Sequence, residues 1–328
     1  MNENKNRYIR QEQLLGKKGQ ETIEKKEVTI VGIGALGTVC SDLLLRAGVK
    51  KINLIDRDIV EITNLQRQSL FCQKDIGKSK VEAAKEKLLL INENTKINIQ
   101  ARQIDTSSIL EIIPKSSSLI LDCSDNMKTR FLINDYAKKN KIPLIYAGAI
   151  EDKGSLQLIL KDSACFNCSH QRNSLGETCS SAGVFAMTTY SIAAFQSYLA
   201  IQVLAEKNLD FYCNKLFRFN LNELNSNYFI VKKRKDCPSC KGEFPALKNN
   251  QNKETIRFCS SGLIQINRKN KINLKLLYKT ARLEFPKAIC DNTTVRFDNM
   301  TFFSDGRALI VAKTTREAIA KYEKYVKS

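Results

Sequence analysis

At 328 residues with 43% hydrophobic content, the chain can bury a full core and is long enough for more than one domain. Residues 1–10 are polar and charged, so no secretory signal is read there, and the 11 cysteines point to a reducing, cytoplasmic setting rather than a disulfide-stapled secreted fold. The net charge of +19 suits an acidic partner or RNA, or is simply a Lys-rich background of solvated side chains.

Residues 27–31 are apolar and β-branched, residues 35–47 are helix-forming, and between and within them fall Gly32, Gly34 and Gly37. The glycines therefore sit on a strand-to-helix turn, where backbone N–H groups and the helix N-terminus can face phosphate. A second strand, 51–55, delivers Asp56 about 20 residues further on, where a carboxylate can take a ribose hydroxyl. A nicotinamide-dependent dehydrogenase needs only these features. It has no use for the phosphate-seeking cations that follow. Arg67 in Asn64-Leu-Gln-Arg67-Gln68 can fork two donors onto phosphate, and Lys80 opens an amphipathic helix over 79–90.

After a strand at 97–101, a buried-type strand at 118–121 leads to Asp122-Cys-Ser-Asp125-Asn126 at the carboxyl edge of a parallel sheet. Asp125 beside a triphosphate would hold Mg²⁺. The alternative is that Arg67 and Lys80 are solvated charges and Asp125 caps the helix from Asn126 onward. A helix at 128–140 and a strand at 143–146 complete a doubly wound, Rossmann-like α/β pattern. Strands at 154–160, 215–221 and 227–231 then turn the mixed sheet antiparallel.

Two CxxC pairs, Cys165 with Cys168 and Cys237 with Cys240, have the spacing of a Cys₄ zinc site. A closed four-thiolate set implies a structural Zn²⁺, with a redox pair as the alternative. His170, the one histidine, reads as surface of the zinc loop rather than as a base. Residues 178–205 carry no charge, but their Ser, Thr and Gln content favours a buried or interface helix from about Val184 over a membrane span. The remaining cysteines, Cys40, Cys72, Cys123, Cys213, Cys259 and Cys290, read as buried apolar residues or incidental thiols.

A domain boundary is expected across 241–254, separating a domain of residues 1–240 from a small α+β unit of 255–328. Strands are expected in that unit at 256–258, 263–266, 295–297 and 308–311, with a hairpin turn at 302–307 and a capping box at Thr314-Thr-Arg-Glu317. Between 228 and 289 there are 15 Lys/Arg against 4 Asp/Glu, so the basic excess is concentrated here. No RNA-binding motif or aromatic-basic interleaving accompanies it, so nucleic acid is not the favoured partner.

From Arg7-Tyr-Ile-Arg10-Gln11 to Cys240, through Asn64-Leu-Gln-Arg67-Gln68, Gly77-Lys-Ser-Lys80, Cys-Ser-Asp125-Asn126 and both CxxC pairs, the chain resembles the MoeB/ThiF/HesA-type adenylyltransferases that activate ubiquitin-like proteins. Ala35 stands where that family often has glycine. The resemblance implies ATP-dependent adenylylation of the C-terminal carboxylate of a small ubiquitin-like carrier ending in Gly-Gly, in a homodimer. It implies Asp56 on the ribose, Asn64, Arg67 and Lys80 on the phosphates, Asp125 on Mg²⁺, and Arg10 reaching into a second subunit's site. Cys179, ahead of Gly183-Val184, matches a family cysteine that attacks the adenylate to give a thioester or persulfide-linked intermediate, and is unreactive in members that only adenylylate. The tail lacks the Cys-centred loop of a sulfurtransferase domain and is similar to the short C-terminal extension of archaeal-type members, with docking or stabilisation as its role. A tRNA-modifying dehydratase of the same superfamily would use the basic surface, and the dehydrogenase reading also stays open.

Overall fold

In a computed structural model, the described residues are 7–170, 183–248, 255–257, 263–268 and 270–326. Five strands alternate with helices to build a parallel sheet: β1 (Glu27–Val31), β2 (Lys51–Ile55), β3 (Lys96–Gln100), β4 (Leu119–Asp122) and β5 (Leu144–Ile150). Three antiparallel strands extend it, β6 (Lys153–Ile159), β7 (Lys215–Asn220) and β8 (Asn225–Ile230), in the order β3-β2-β1-β4-β5-β6-β7-β8. Helices α1 (Ile9–Leu15) and α2 (Lys17–Lys25) precede the sheet. Then come α3 (Ala35–Arg46), α4 (Lys80–Ile91), α5 (Ile109–Ile112), α6 (Met127–Asn140), α7 (Phe166–Ser169), α8 (Ala186–Leu204) and α9 (Pro238–Lys241).

The mixed, doubly wound sheet agrees with the sequence pattern, and its two faces carry separate cores. One gathers Val28, Ile30, Ile52, Leu54 and Leu121 with α3, α4 and α8; the other gathers Val31, Ile55 and Ile120 with α5, α6 and the cysteine turns. The uncharged helix α8 is core, not a span: buried Gln196 donates to the carbonyls of Asp122 at 3.2 Å and Ile145 at 2.9 Å. No helix among the described residues is long and apolar enough to cross a membrane.

A second, antiparallel sheet follows: β9 (Thr255–Arg257), β10 (Leu263–Ile266), β11 (Ile289–Cys290), β12 (Thr294–Phe297), β13 (Met300–Phe303) and β14 (Ala308–Val311). Helices α10 (Leu274–Glu284) and α11 (Thr315–Tyr325) cover its own core. Helix α10 was not read from the sequence, although Asn273 caps it by accepting from the Leu276 N–H at 3.2 Å and Leu274, Leu277 and Ala281 bury one face. The expected hairpin turn at 302–307 begins later, because Phe302 and Phe303 remain in β13. Within the stretch read as a linker, residues 245–247 form a 3₁₀ turn, and the Ala246 N–H donates to Asp135 at 2.8 Å.

Candidate nucleotide and metal sites

The order β2-β1-β4 makes the crevice between β1 and β4 the point where the chain's winding reverses, the place ligands occupy in such sheets. The glycine turn lies there. Gly32 has φ +90°, and a Cβ on it would meet the Cys123 carbonyl oxygen at 2.7 Å, so glycine is required for β1 and β4 to exit side by side. A Cβ on Gly37 would collide with the Gly32 carbonyl. Gly34 differs: a Cβ there would meet only Gln68 Nε2, at 3.9 Å. Its bareness preserves open space over the N-terminus of α3, as a cradle for an anion does.

Asp56 leaves β2 beside this turn and is committed on both oxygens, accepting from the Ile33 N–H at 2.7 Å and the Asp58 N–H at 2.8 Å. Burial pushes its carboxyl up from the usual range, against the pull of Lys80. Lys80, 7% exposed at the start of α4, places Nζ 3.5 Å from Asp58. Burial alone would lower this ammonium's pKa, yet Asp58, Asp56 and Asp125 together raise it. Burial likewise works against the Asp58 carboxylate, but Lys80, Arg57 and Arg307 outweigh it and hold its pKa low. Lys80 is thus a permanently charged cation at the cleft, not a solvated surface residue.

Asp125 is exposed two positions before α6. The capping alternative falls, because Asn126 is the cap, accepting from the Thr129 N–H at 2.8 Å. Asn126 therefore has a structural task independent of any ligand. Arg130 on α6 steadies the loop by donating from Nη2 to the Ser124 carbonyl at 2.8 Å. An exposed carboxylate such as that of Asp125 is the kind of oxygen donor a hard divalent cation takes.

Asn64 is buried and accepts from the Glu61 N–H at 3.1 Å, while Arg67 is half-buried with Nη1 on the Thr63 carbonyl at 2.9 Å. Their loop faces the glycine turn through Gln68, whose Oε1 is buried without a hydrogen-bond partner among the described residues. Such an orphan acceptor costs about 1–3 kcal/mol and fits a site completed by a ligand donor. Arg10 is exposed on α1 and makes no ion pair or hydrogen bond within the described chain. Cys179 lies outside the described residues.

Sequence reasoning missed Asp58 and Arg307. A second acid two residues after Asp56 was a local signal for Asp58. Nothing local signalled Arg307, which arrives from the second sheet.

The four CxxC cysteines converge. Sulfur separations are 3.9 Å for Cys165–Cys168, 3.6 Å for Cys165–Cys237, 3.7 Å for Cys168–Cys240 and 3.5 Å for Cys165–Cys240. The edge of a tetrahedron with Zn–S bonds of about 2.3 Å is about 3.8 Å, so the sulfurs fit a Cys₄ metal. Asp135 on α6 ties the two turns together, accepting from Ser239 Oγ and from Asn167 Nδ2 at 3.3 Å. His170, read from the sequence as surface of the zinc loop, is half-buried at the end of α7. Its ring stacks on Phe166 at 4.2 Å, and burial, then Arg218 and Arg130, bring its pKa down to about 4.

The sequence profile of the ThiF family matches residues 7–241. The sulfur carrier protein ThiS adenylyltransferase of Bacillus subtilis is 32% identical over 321 residues, covering 93% of this chain and 94% of that protein. The molybdopterin-synthase adenylyltransferase of Salmonella typhimurium is 35% identical over 206 residues, 61% of this chain and 82% of that one. The adenylyltransferase and sulfurtransferase MOCS3 of Drosophila ananassae is 33% identical over 244 residues, 72% of this chain and 54% of that protein. Among solved structures, E. coli MccB with ATP shares the fold, with TM-score 0.64 at 24% identity over 73% of this chain and 75% of that one.

Proposed function

The chain belongs to the ThiF family, and from that membership we propose that it adenylylates the C-terminal glycine carboxylate of a small ubiquitin-like sulfur carrier or modifier, with ATP as donor. The observation that carries this reading is Lys80, buried and charged among Asp58, Asp56 and Asp125. A dehydrogenase would have no task for that arrangement. The full-length relative from Bacillus subtilis bears the adenylyltransferase name, which also favours this reading over a tRNA-modifying dehydratase.

In the proposed reaction a carboxylate oxygen of the carrier attacks the α-phosphorus in line. The bond from that phosphorus to the bridging oxygen breaks, pyrophosphate leaves, and an acyl-adenylate remains. No proton must move in this step, so catalysis rests on positioning and charge. Gly32, Gly34 and Gly37 present backbone to the phosphates, Asp56 takes the ribose, and Asn64, Arg67 and Lys80 hold phosphate oxygens. Asp125 would hold Mg²⁺, which neutralises phosphate charge when bound, with Asn126 fixing its loop. Cys165, Cys168, Cys237 and Cys240 would hold a structural Zn²⁺. Arg10, exposed on α1, would complete the site of a second subunit. The Cys179 thiolate would attack the acyl-adenylate carbonyl, forming a thioester and releasing AMP; a persulfide-linked adduct would require a sulfur donor to load the cysteine first. The setting is read as cytoplasmic, in keeping with unbridged thiols at every described cysteine.

The test is pyrophosphate–ATP exchange with a panel of small Gly-Gly-tailed proteins, followed by a non-reducing gel. Exchange with one of them, and a reducible conjugate lost in Cys179→Ala, is the expected result. Exchange with none across the panel would remove the proposed activity, and exchange without a conjugate would remove the role of Cys179.

A further inference from the structure

Arg307 sits at the end of the turn between β13 and β14, 3% exposed, with its guanidinium inside the other sheet's territory. Nη1 donates to the carbonyl of Arg57, and Nη2 donates to the carbonyl of Ala101 at 2.7 Å. Those carbonyls lie just past the carboxyl ends of β2 and β3. One side chain from the C-terminal unit therefore grips two parallel strands at the place where Asp56 emerges. The Phe303 ring lies 3.7 Å beneath the guanidinium, and Asp305 is 3.8 Å away.

Burying a guanidinium is costly, and its Nε makes no hydrogen bond among the described residues, so an apolar side chain would serve better if adhesion were the whole task. Adhesion is already supplied by Phe303 and Leu309, which join the main core, and by Gln265, which donates to Gln103 at 2.9 Å. What Arg307 adds is directional: two donors that fix the segment carrying Asp56, whose carboxylate holds the glycine turn through Ile33, and Asp58, which pairs with Lys80. Arg307 touches no position assigned to substrate.

We propose that Arg307 is a positioning residue for the nucleotide site, through which the C-terminal unit holds residues 56–58 in register and sets ATP affinity. This rests on the adenylyltransferase reading. The experiment measures Mg-ATP binding by calorimetry, and thermal unfolding in parallel, for the full-length protein and three variants. Arg307→Ala is expected to weaken ATP binding roughly tenfold, as loss of two donors to a loop does, and Arg307→Lys, which reaches one carbonyl, by less. Thr314→Ala removes the cap of α11, whose side chain accepts from the Glu317 N–H at 3.2 Å, and destabilises the same unit without touching residues 56–58. It should bind ATP like wild type. Should Arg307→Ala fail to fold, Arg307→Lys carries the test.

Arg307 variants that fold and bind ATP within about twofold of wild type would overturn the proposal, since roughly 1.4 kcal/mol separates each tenfold step. So would a Thr314→Ala protein weakened as much as Arg307→Ala, which would make the effect one of general stability. Wild-type protein that binds no ATP would sink this inference together with the adenylyltransferase reading, a result visible before any variant is made.

Discussion

At the scale of single residues, Lys80 is the side chain whose surroundings say most. A buried lysine would ordinarily lose its proton more easily, and here three carboxylates reverse that, so it is charged at neutral pH. Removing a preorganised charge at a developing anionic centre typically costs about 10²–10³ in rate. Lys80→Ala is expected to lower exchange by that order while leaving the melting temperature within a few degrees; near-full exchange would remove Lys80 from the site.

Glu82, two positions on, tests the electrostatics in the opposite sense. Burial, then Asp291, raises its carboxyl pKa, and its Oε1 is buried without a partner among the described residues. An acid whose folded pKa is raised gives its stabilisation below the unfolded value, and that is lost as pH rises through the folded value. Glu82→Gln should therefore raise the melting temperature at pH 7 and have less effect at pH 4. Equal effects at both pH values would mean that ionisation plays no part.

At the scale of elements, the cysteine turns show how short pieces acquire a role only in pairs. Helices α7 and α9 are each four residues long, too short to stand alone. Their four sulfurs gather into a cluster closed enough for a tetrahedral ion, and Asp135 on α6 fastens both turns from beneath. A structural Zn²⁺ contributes roughly 10–16 kcal/mol of apparent binding energy to folding. Native protein should contain about one zinc per chain, matching the single Cys₄ cluster, and a strong chelator should lower its melting temperature markedly. Metal analysis finding neither zinc nor another tetrahedral ion would discard the site.

At the scale of the whole molecule, α8 and the far edge of the main sheet leave a large apolar face uncovered. Phe185 just before the helix, Met187, Phe195 and Tyr198 on it, and Phe229 and Ile230 on β8 are all exposed. Such a patch marks an interaction surface. A homodimer with shared sites is expected to reveal itself by complementation. Mixing Arg10→Ala with Lys80→Ala chains should restore part of the exchange lost in each alone, because one site of the mixed dimer would carry both residues intact. An active species that sediments strictly as a monomer would reject the shared site.

The sequence by itself determined the features that one stretch of backbone imposes. Gly32 takes φ +90° and a Cβ on Gly37 would strike the Gly32 carbonyl, Thr314 caps a helix, and each CxxC pair makes its own turn, so local sterics and capping announce them. The alternation of apolar strands and helices likewise announced the doubly wound sheet, and the lack of charge in α8 announced a buried or interface helix. The tertiary structure alone decided that Asp58 would face Lys80, that the Gln68 acceptor would be buried without a partner among the described residues, and that His170 would stack on Phe166. It also decided that Arg307 would grip the ends of β2 and β3 from a different sheet. These are contacts between segments far apart in the chain, whose partners are selected by packing and desolvation rather than by any neighbouring residue. A buried arginine and a surface arginine are spelled alike, and only the fold assigns the difference.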